Sequence, residues 1–284
     1  MNMVIHPQCV GKFFPAEEAE LREKVDHLLR AAQSRSLSPK AIIVPHAGYD
    51  YSGAVAASAY ACLAGCANRF RRVVLLGTCH FVHVGGLLTT FADAVATPLG
   101  EVPVDQAAVR LAAQLPQVVR HDEAHHLDHA LAVQLPFLQQ TLAEFCIVPF
   151  LVTDCSAKEV AQVLDLLWDG DETLVVVSTD LSHDLTYDEA CRRDRRTAEA
   201  IIRLDAEAIG HEDACGHRAI AGLLMAAQRH GLRGIQIDLR NSGNTRGGRD
   251  HVVGYGAFAL EAGDKSRGVQ RHNDADAGDG SRGI

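Results

Sequence analysis

Short, wholly apolar runs alternate along this chain with longer stretches in which apolar side chains recur every three or four positions. The spacing of Leu21, Val25, Leu28 and Leu29 predicts a helix over 16–31. Ala41-Ile42-Ile43-Val44 reads as a buried strand stopped by Pro45, and Val73-Val74-Leu75-Leu76 as a second, stopped by Gly77. Between them the small, Ala-rich segment 53–63 suits a helix held close to a sheet. Helical patterns cover 105–115 and 127–145, the latter with Pro136 inside it. A strand over 145–152, a helix over 158–168, the strand Leu174-Val175-Val176-Val177 and a long helix over 187–204 follow. A helix over 219–230 and strands over 234–239 and 252–260 complete the pattern.

Apolar strands alternating with helices predict an α/β fold: one three-layer domain over 1–262, its central sheet mainly parallel or mixed and covered by helices on both faces. No repeat or linker divides it. From 263 to 284 the pattern dissolves into Gly, Asp, Arg, Asn and Ser. Such a segment cannot bury enough apolar area to offset its ordering entropy, so a disordered tail is expected there.

Composition narrows the class. The chain has 284 residues, 47% hydrophobic and 22% charged, which is ample for a large core. A formal net charge of -9 disfavours nucleic acid or an anionic membrane as partner. The Arg192, Arg193, Arg195 and Arg196 cluster is interrupted by Asp194 and reads as a solvated helix face. The first residues lack a basic segment followed by an apolar run, and no apolar run approaches the roughly 20 residues of a membrane span. Eight cysteines form no CxxC pair, and Cys62 and Cys146 sit inside apolar runs, as in reduced, cytoplasmic chains.

Candidate chemistry gathers where strands stop. The run 41–44 leads to His46, 73–76 to His80, and 174–177 to Asp180 and His183. In open α/β sheets, ligands bind beyond the carboxyl ends of the strands. If these strands are parallel neighbours, their polar side chains meet at one rim, and neutral imidazoles there can hold a metal. With 15 histidines in the chain, any single one of them is more simply structural. Cys215 precedes the helix over 219–230, whose positive N-terminal end, with His217 and Arg218, favours a thiolate. His125 and His129, spaced i, i+4, fall on one helical face, either solvated or with His129 turned to the site. Tyr49 and Tyr51 line a pocket or simply pack, and 241–248 forms a surface loop or a lid.

Several ordered motifs are familiar: Gly11-Lys12-Phe13-Phe14-Pro15-Ala16, Pro45-His46-Ala47-Gly48-Tyr49, Leu76-Gly77-Thr78-Cys79-His80, His129 with Leu135-Pro136-Phe137, Ser178-Thr179-Asp180-Leu181-Ser182-His183, Cys215-Gly216 and Val253-Gly254-Tyr255-Gly256-Ala257. Over about residues 6–260 the chain resembles the Memo family, also called AmmeMemoRadiSam system protein B. That family is similar to the LigB-class extradiol dioxygenases in its α/β fold and open non-haem metal site. The resemblance implies metal ligands at His46, His80 and Cys215, with Asp180 and His183 beside the metal and His183 as an acid/base group. Two positions depart from the family pattern. Ala132 stands where relatives commonly carry a glutamate, and Cys79 where a serine is usual.

Two functional classes follow. One is a metal-dependent oxidoreductase holding Fe(II), or alternatively Cu, with open positions for O2 or a small-molecule substrate and with His183, Asp180 and His129 as catalytic candidates. The other is a non-catalytic metal- or peptide-binding module acting with AmmeMemoRadiSam partner proteins, a radical SAM protein among them.

Overall fold

A computed structural model describes residues 3–33 and 35–263. The segment read as a tail lies outside the described residues, apart from Gly263. In chain order the elements begin with β1 (Val4–Ile5), α1 (Glu18–Ala31), β2 (Ala41–Val44), α2 (Tyr49–Ala61) and β3 (Arg72–Thr78). Next come β4 (Leu87–Thr89), β5 (Ala94–Thr97), β6 (Gly100–Pro103), α3 (Gln106–Ala112), β7 (Val118–Arg120), α4 (Asp122–Leu127) and α5 (Leu135–Thr141). The chain continues through β8 (Cys146–Val152), α6 (Ala157–Leu167), β9 (Thr173–Ser178), α7 (Tyr187–Ile202), α8 (His217–Arg229), β10 (Leu232–Asn241) and β11 (Gly254–Ala262).

The main sheet has eight strands in the order β10-β11-β2-β9-β3-β8-β4-β7. Its centre, β2, β9, β3 and β8, is parallel, while β11 runs antiparallel to β2, and β4 to β8. Burial on both faces explains the unbroken apolar runs of the centre: every residue of β2 and β9 is buried. The step from β2 to β3 runs one way along the sheet and the step from β8 to β9 the other. Right-handed crossovers therefore put α2 and α6 on opposite faces. The helices α1 and α5 pack with α2, whereas α8 packs on α6, and the result is a three-layer α/β domain. A separate three-stranded sheet, β1-β5-β6, lies beside it.

The segment 127–145 is not one helix. The helix α4 ends at Leu127, Asp128 is extended, and α5 begins only at Leu135. The Asp128 carboxylate accepts the Ala130 N–H at 2.9 Å, a local turn that competes with helix, and Pro136 sits in the first turn of α5, where its missing N–H costs nothing.

Candidate metal centre

Register brings the candidate residues level. Val44 of β2 and Gly77 of β3 both pair with Ser178 of β9, so the three strands end together. Just beyond them His46, Asp180 and His80 share one rim. The Asp180 carboxylate, 5% exposed, accepts the His46 N–H at 2.8 Å and the Ala47 N–H at 3.3 Å, which fixes the turn after β2.

Each imidazole is held by the nitrogen that faces away from the rim. The Ser178 hydroxyl donates its proton to the Ala130 carbonyl at 2.5 Å, so toward His46 Nδ1, 3.3 Å away, it accepts. His46 Nδ1 therefore carries hydrogen, and Nε2 is the nitrogen that faces Cys215. His80 Nδ1 lies 3.0 and 3.2 Å from the two oxygens of Asp128, which also accept the His80 backbone N–H at 2.5 Å. Here too Nδ1–H points to the carboxylate, and the ring also hydrogen-bonds Cys215.

Cys215 completes the group from the opposite element, two residues before α8. Its Sγ is 3.4 Å from His46 Nε2, and one ligand atom each from His46, His80 and Cys215 lies within 4.8 Å of the others. Gly216 permits this approach: a Cβ there would stand 2.8 Å from both Cβ and Oγ1 of Thr179. Its N–H donates to Thr179 Oγ1 at 2.9 Å, and Thr78 Oγ1 donates to the Cys215 carbonyl at 2.5 Å. Burial pushes the Cys215 thiol up, but the charges and hydrogen bonds of His46 and His80 pull it down to about 5. The sequence pointed to the helix end, with His217 and Arg218, as the cause of the thiolate; in the structure His46 and His80 also lower it. Burial likewise pushes His80 down, but hydrogen bonds with Asp128 and Cys215 carry it up to about 10. A thiolate beside imidazoles that favour the cationic form describes a pocket that stabilises positive charge, as a divalent cation would supply.

With the geometry established, comparison with known proteins decides the family. The family model described as Memo-like protein matches residues 6–259. A MEMO1 family protein of Aquifex aeolicus is 33% identical over 264 residues, covering 89% of this chain and 97% of that protein. One from Nitrosopumilus maritimus is 31% identical over 275 residues, covering 90% and 99%. The chain belongs to the Memo family. Among solved structures, an uncharacterised Escherichia coli K12 protein is similar at a TM-score of 0.45 and 16% identity, covering 76% of this chain and 98% of that one.

In this Memo chain His129 joins the rim. Its ring stacks on His80 with centroids 4.6 Å apart, stacks on Phe13 at 4.1 Å, and stands edge-on to His46 at 5.1 Å. Burial and the positive charge of His46 and His80 hold it down to about 3, so it is neutral. The loop that carries it lies flat on the sheet because Gly77 has no side chain: a Cβ there would be 2.8 Å from Leu131 and 2.9 Å from Ala130. His129, Asp128 and His80 form a second converging donor group that shares His80 with the first.

His183 follows Asp180 by three residues, on the segment that leaves β9. It is exposed and belongs to neither converging group. Beyond Asp180 the chain is drawn to β11 and α7: Leu181 N donates to the Gly254 carbonyl, Gly254 N to the Ser182 carbonyl, and Ser182 N to Asp194. By the sheet order, β11 lies across β2 from β9, on the side away from β3 and His80. His125 shares no face with His129 either, because α4 has ended. It is buried, bonded by Nε2 to the Leu88 carbonyl at 3.0 Å, and burial holds it down to about 4. Cys79 is a half-buried thiol pushed up by burial, and Ala132 is buried in the short turn before α5. Sequence reasoning assigned no role to Ser178, Phe13 or Asp128. The signal for Asp128 was present, since a carboxylate beside a rim histidine is what orients a ligating imidazole.

A cavity of about 550 Å3 opens beside this centre, with His80 and Cys215 in its wall. Among the described residues no helix is long and apolar enough to cross a membrane.

Proposed function

We propose that this chain binds a first-row transition metal through His46 Nε2, His80 Nε2 and Cys215 Sγ, and uses it for redox chemistry on a small substrate. Fe(II) is the first candidate and Cu the second. The observation that carries the reading is the donor set itself: two imidazoles whose outer nitrogens are tied by Ser178 and Asp128, with their inner nitrogens turned to a thiolate. Two nitrogens and a soft sulfur with coordination positions left over suit iron or copper. When bound, the metal supplies electron transfer and a place for O2.

The protein residues divide the remaining work. Asp128 holds His80 in one tautomer and orientation, and Ser178 does the same for His46. Asp180 fixes the turn that aims His46. His129, neutral and stacked on His80 beside the donor set, is the histidine proposed to take or return a proton, with exposed His183 as the alternative. Phe13 covers the outer face of His129 and keeps water from it.

Anaerobic purification followed by metal analysis tests this directly. About one equivalent of iron or copper is expected, and His80→Ala is expected to lose it while remaining folded. Metal retained in both His80→Ala and Cys215→Ala would overturn the ligand assignment. Metal-dependent O2 consumption with a screened reductant supports the oxidoreductase, whereas stoichiometric metal without consumption places the chain with the non-catalytic, partner-dependent class.

A further inference from the structure

We infer that the cavity beside Cys215 and His80 binds the anionic head of a small organic molecule, with Arg218 as the residue that recognises it. That the bound molecule is the substrate rests on the metal-centre reading above; that the cavity takes an anion does not.

The cavity, about 550 Å3, falls within the roughly 300–1,000 Å3 of small-molecule sites. One of its walls is the first turn of α8, with His217, Arg218 and Ala219. Exposed His83 and His211 also line it, on its solvent side. Arg218 is already oriented: Nη1 donates to the Cys155 carbonyl at 2.9 Å, and Nη2 lies 2.9 Å from Asp154 Oδ1. A guanidinium has five N–H donors. Two are engaged, so three remain for a ligand (5 − 2 = 3).

Asp154 is the one carboxylate among the lining residues, and Arg218 already neutralises it. The hydroxyl protons of Thr78 and Thr153 are directed to carbonyls, that of Cys215 for the first and those of Val84 and Gly86 for the second. Donors for an incoming molecule therefore come from Arg218, and the one lining carboxylate is already paired with it. The same cavity wall includes two of the three metal-ligand candidates. A head group on Arg218 thus leaves the remainder of a small molecule against the reactive centre. The planar fork of arginine suits carboxylate and phosphate alike. The shared chemistry is an anionic head, and the probes separate the two.

The test is fluorine NMR line broadening on the full chain, as isolated and after chelation. The probes are para-fluorobenzoate, para-fluorophenyl phosphate and the neutral isostere para-fluorobenzamide. At least one anion is expected to bind and to do so still after chelation, and the amide is not. Arg218→Gln is expected to weaken the anion about 10–100-fold, the worth of charge-assisted hydrogen bonds, and Arg218→Lys to recover part of that. The amide comparison needs no variant, so a misfolded substitution does not blunt the test. Equal binding of the amide, no binding of any probe, or unchanged affinity in folded Arg218→Gln overturns the inference. Anion binding only when metal is present also overturns it, by placing the anion on the metal. If the chain holds metal but no probe, this inference fails and the metal reading stands. If it holds the probe but no metal, the reverse is true.

Discussion

Single residues set the tautomers on which the centre depends, and Asp128 is the one with most to lose. It accepts from the His80 ring, from the His80 backbone and from the Ala130 N–H, all while buried at 2% exposure. Replacing it with asparagine keeps the shape and one acceptor but removes the charge that fixes His80 Nδ1–H. Carboxylates in this position are worth about 10–100-fold in metal affinity. Asp128→Asn is therefore expected to bind metal that much more weakly in competition with a chelator, with little change in melting temperature. Undiminished affinity would reduce Asp128 to a turn-former. The two histidine candidates for proton transfer separate in the same way. His129→Gln should cut turnover about 10²–10⁴-fold at full metal occupancy, whereas His183→Gln, at an exposed position, should change it little; the opposite ranking would return the role to His183. Much of this was legible in the sequence, because His46, His80 and Asp180 follow strands whose apolar runs end in the same way. What was hidden is side-chain direction after a turn. Asp180 and His183 share one motif, yet the backbone between them bonds the Gly254 backbone and the Asp194 carboxylate, and His183 is exposed.

At the level of elements, glycines decide how closely α8 approaches its neighbours, and two of them act on different properties. A Cβ on Gly216 would press on Thr179 at the end of β9, which displaces the helix start and Cys215 with it. A Cβ on Gly222 would overlap the Val160 side chain of α6, at the tightest point of the two-helix layer. Gly222→Ala is expected to cost about 1–3 kcal/mol of stability, as overpacking does, and so to lower Tm by several degrees, with metal binding kept. Gly216→Ala should do the reverse, weakening metal binding while leaving Tm nearly in place. Thermal melts and chelator competition on both variants check the pairing, and identical behaviour of the two would show that α8 moves as one rigid unit. The central strands and most helices were readable because burial on both faces leaves an unbroken apolar run, as in 41–44 and 174–177. The short strands β4 and β7 and the small sheet β1-β5-β6 were not, since two to four residues carry no period to detect. The false helix over 127–145 had the apolar spacing of one; what broke it was the Asp128 side chain bonding its own backbone, a local competition that periodicity does not register.

For the whole molecule, the rim that builds the centre also places a buried acid in the path of global stability. Asp194 of α7 is 2% exposed and closed over by β11 so tightly that a Cβ on Gly254 would overlap its carboxyl group. It accepts the Ser182 N–H at 3.1 Å, which ties α7 to the chain leaving β9. Burial raises its pKa from the ordinary 3.8 to about 6, against the opposing pull of the Ser182 hydrogen bonds and of the His183 and Arg193 charges. The native carboxyl thus holds its proton more tightly than the unfolded one. Its contribution to stability is therefore full below the unfolded pKa of 3.8 and is lost as pH rises through about 6. A shift of this size corresponds to about 2–3 kcal/mol at neutral pH. Asparagine keeps an acceptor for Ser182 without the charge. Asp194→Asn and the parent chain are expected to differ least near pH ~4, the ordinary range for an aspartate. Above pH ~6 the variant should melt several degrees higher, by an amount that no longer grows with pH. Melting curves across this range decide the matter. A variant less stable than the parent at neutral pH would mean that the ionised carboxylate, rather than the protonated acid, holds α7 to the rim.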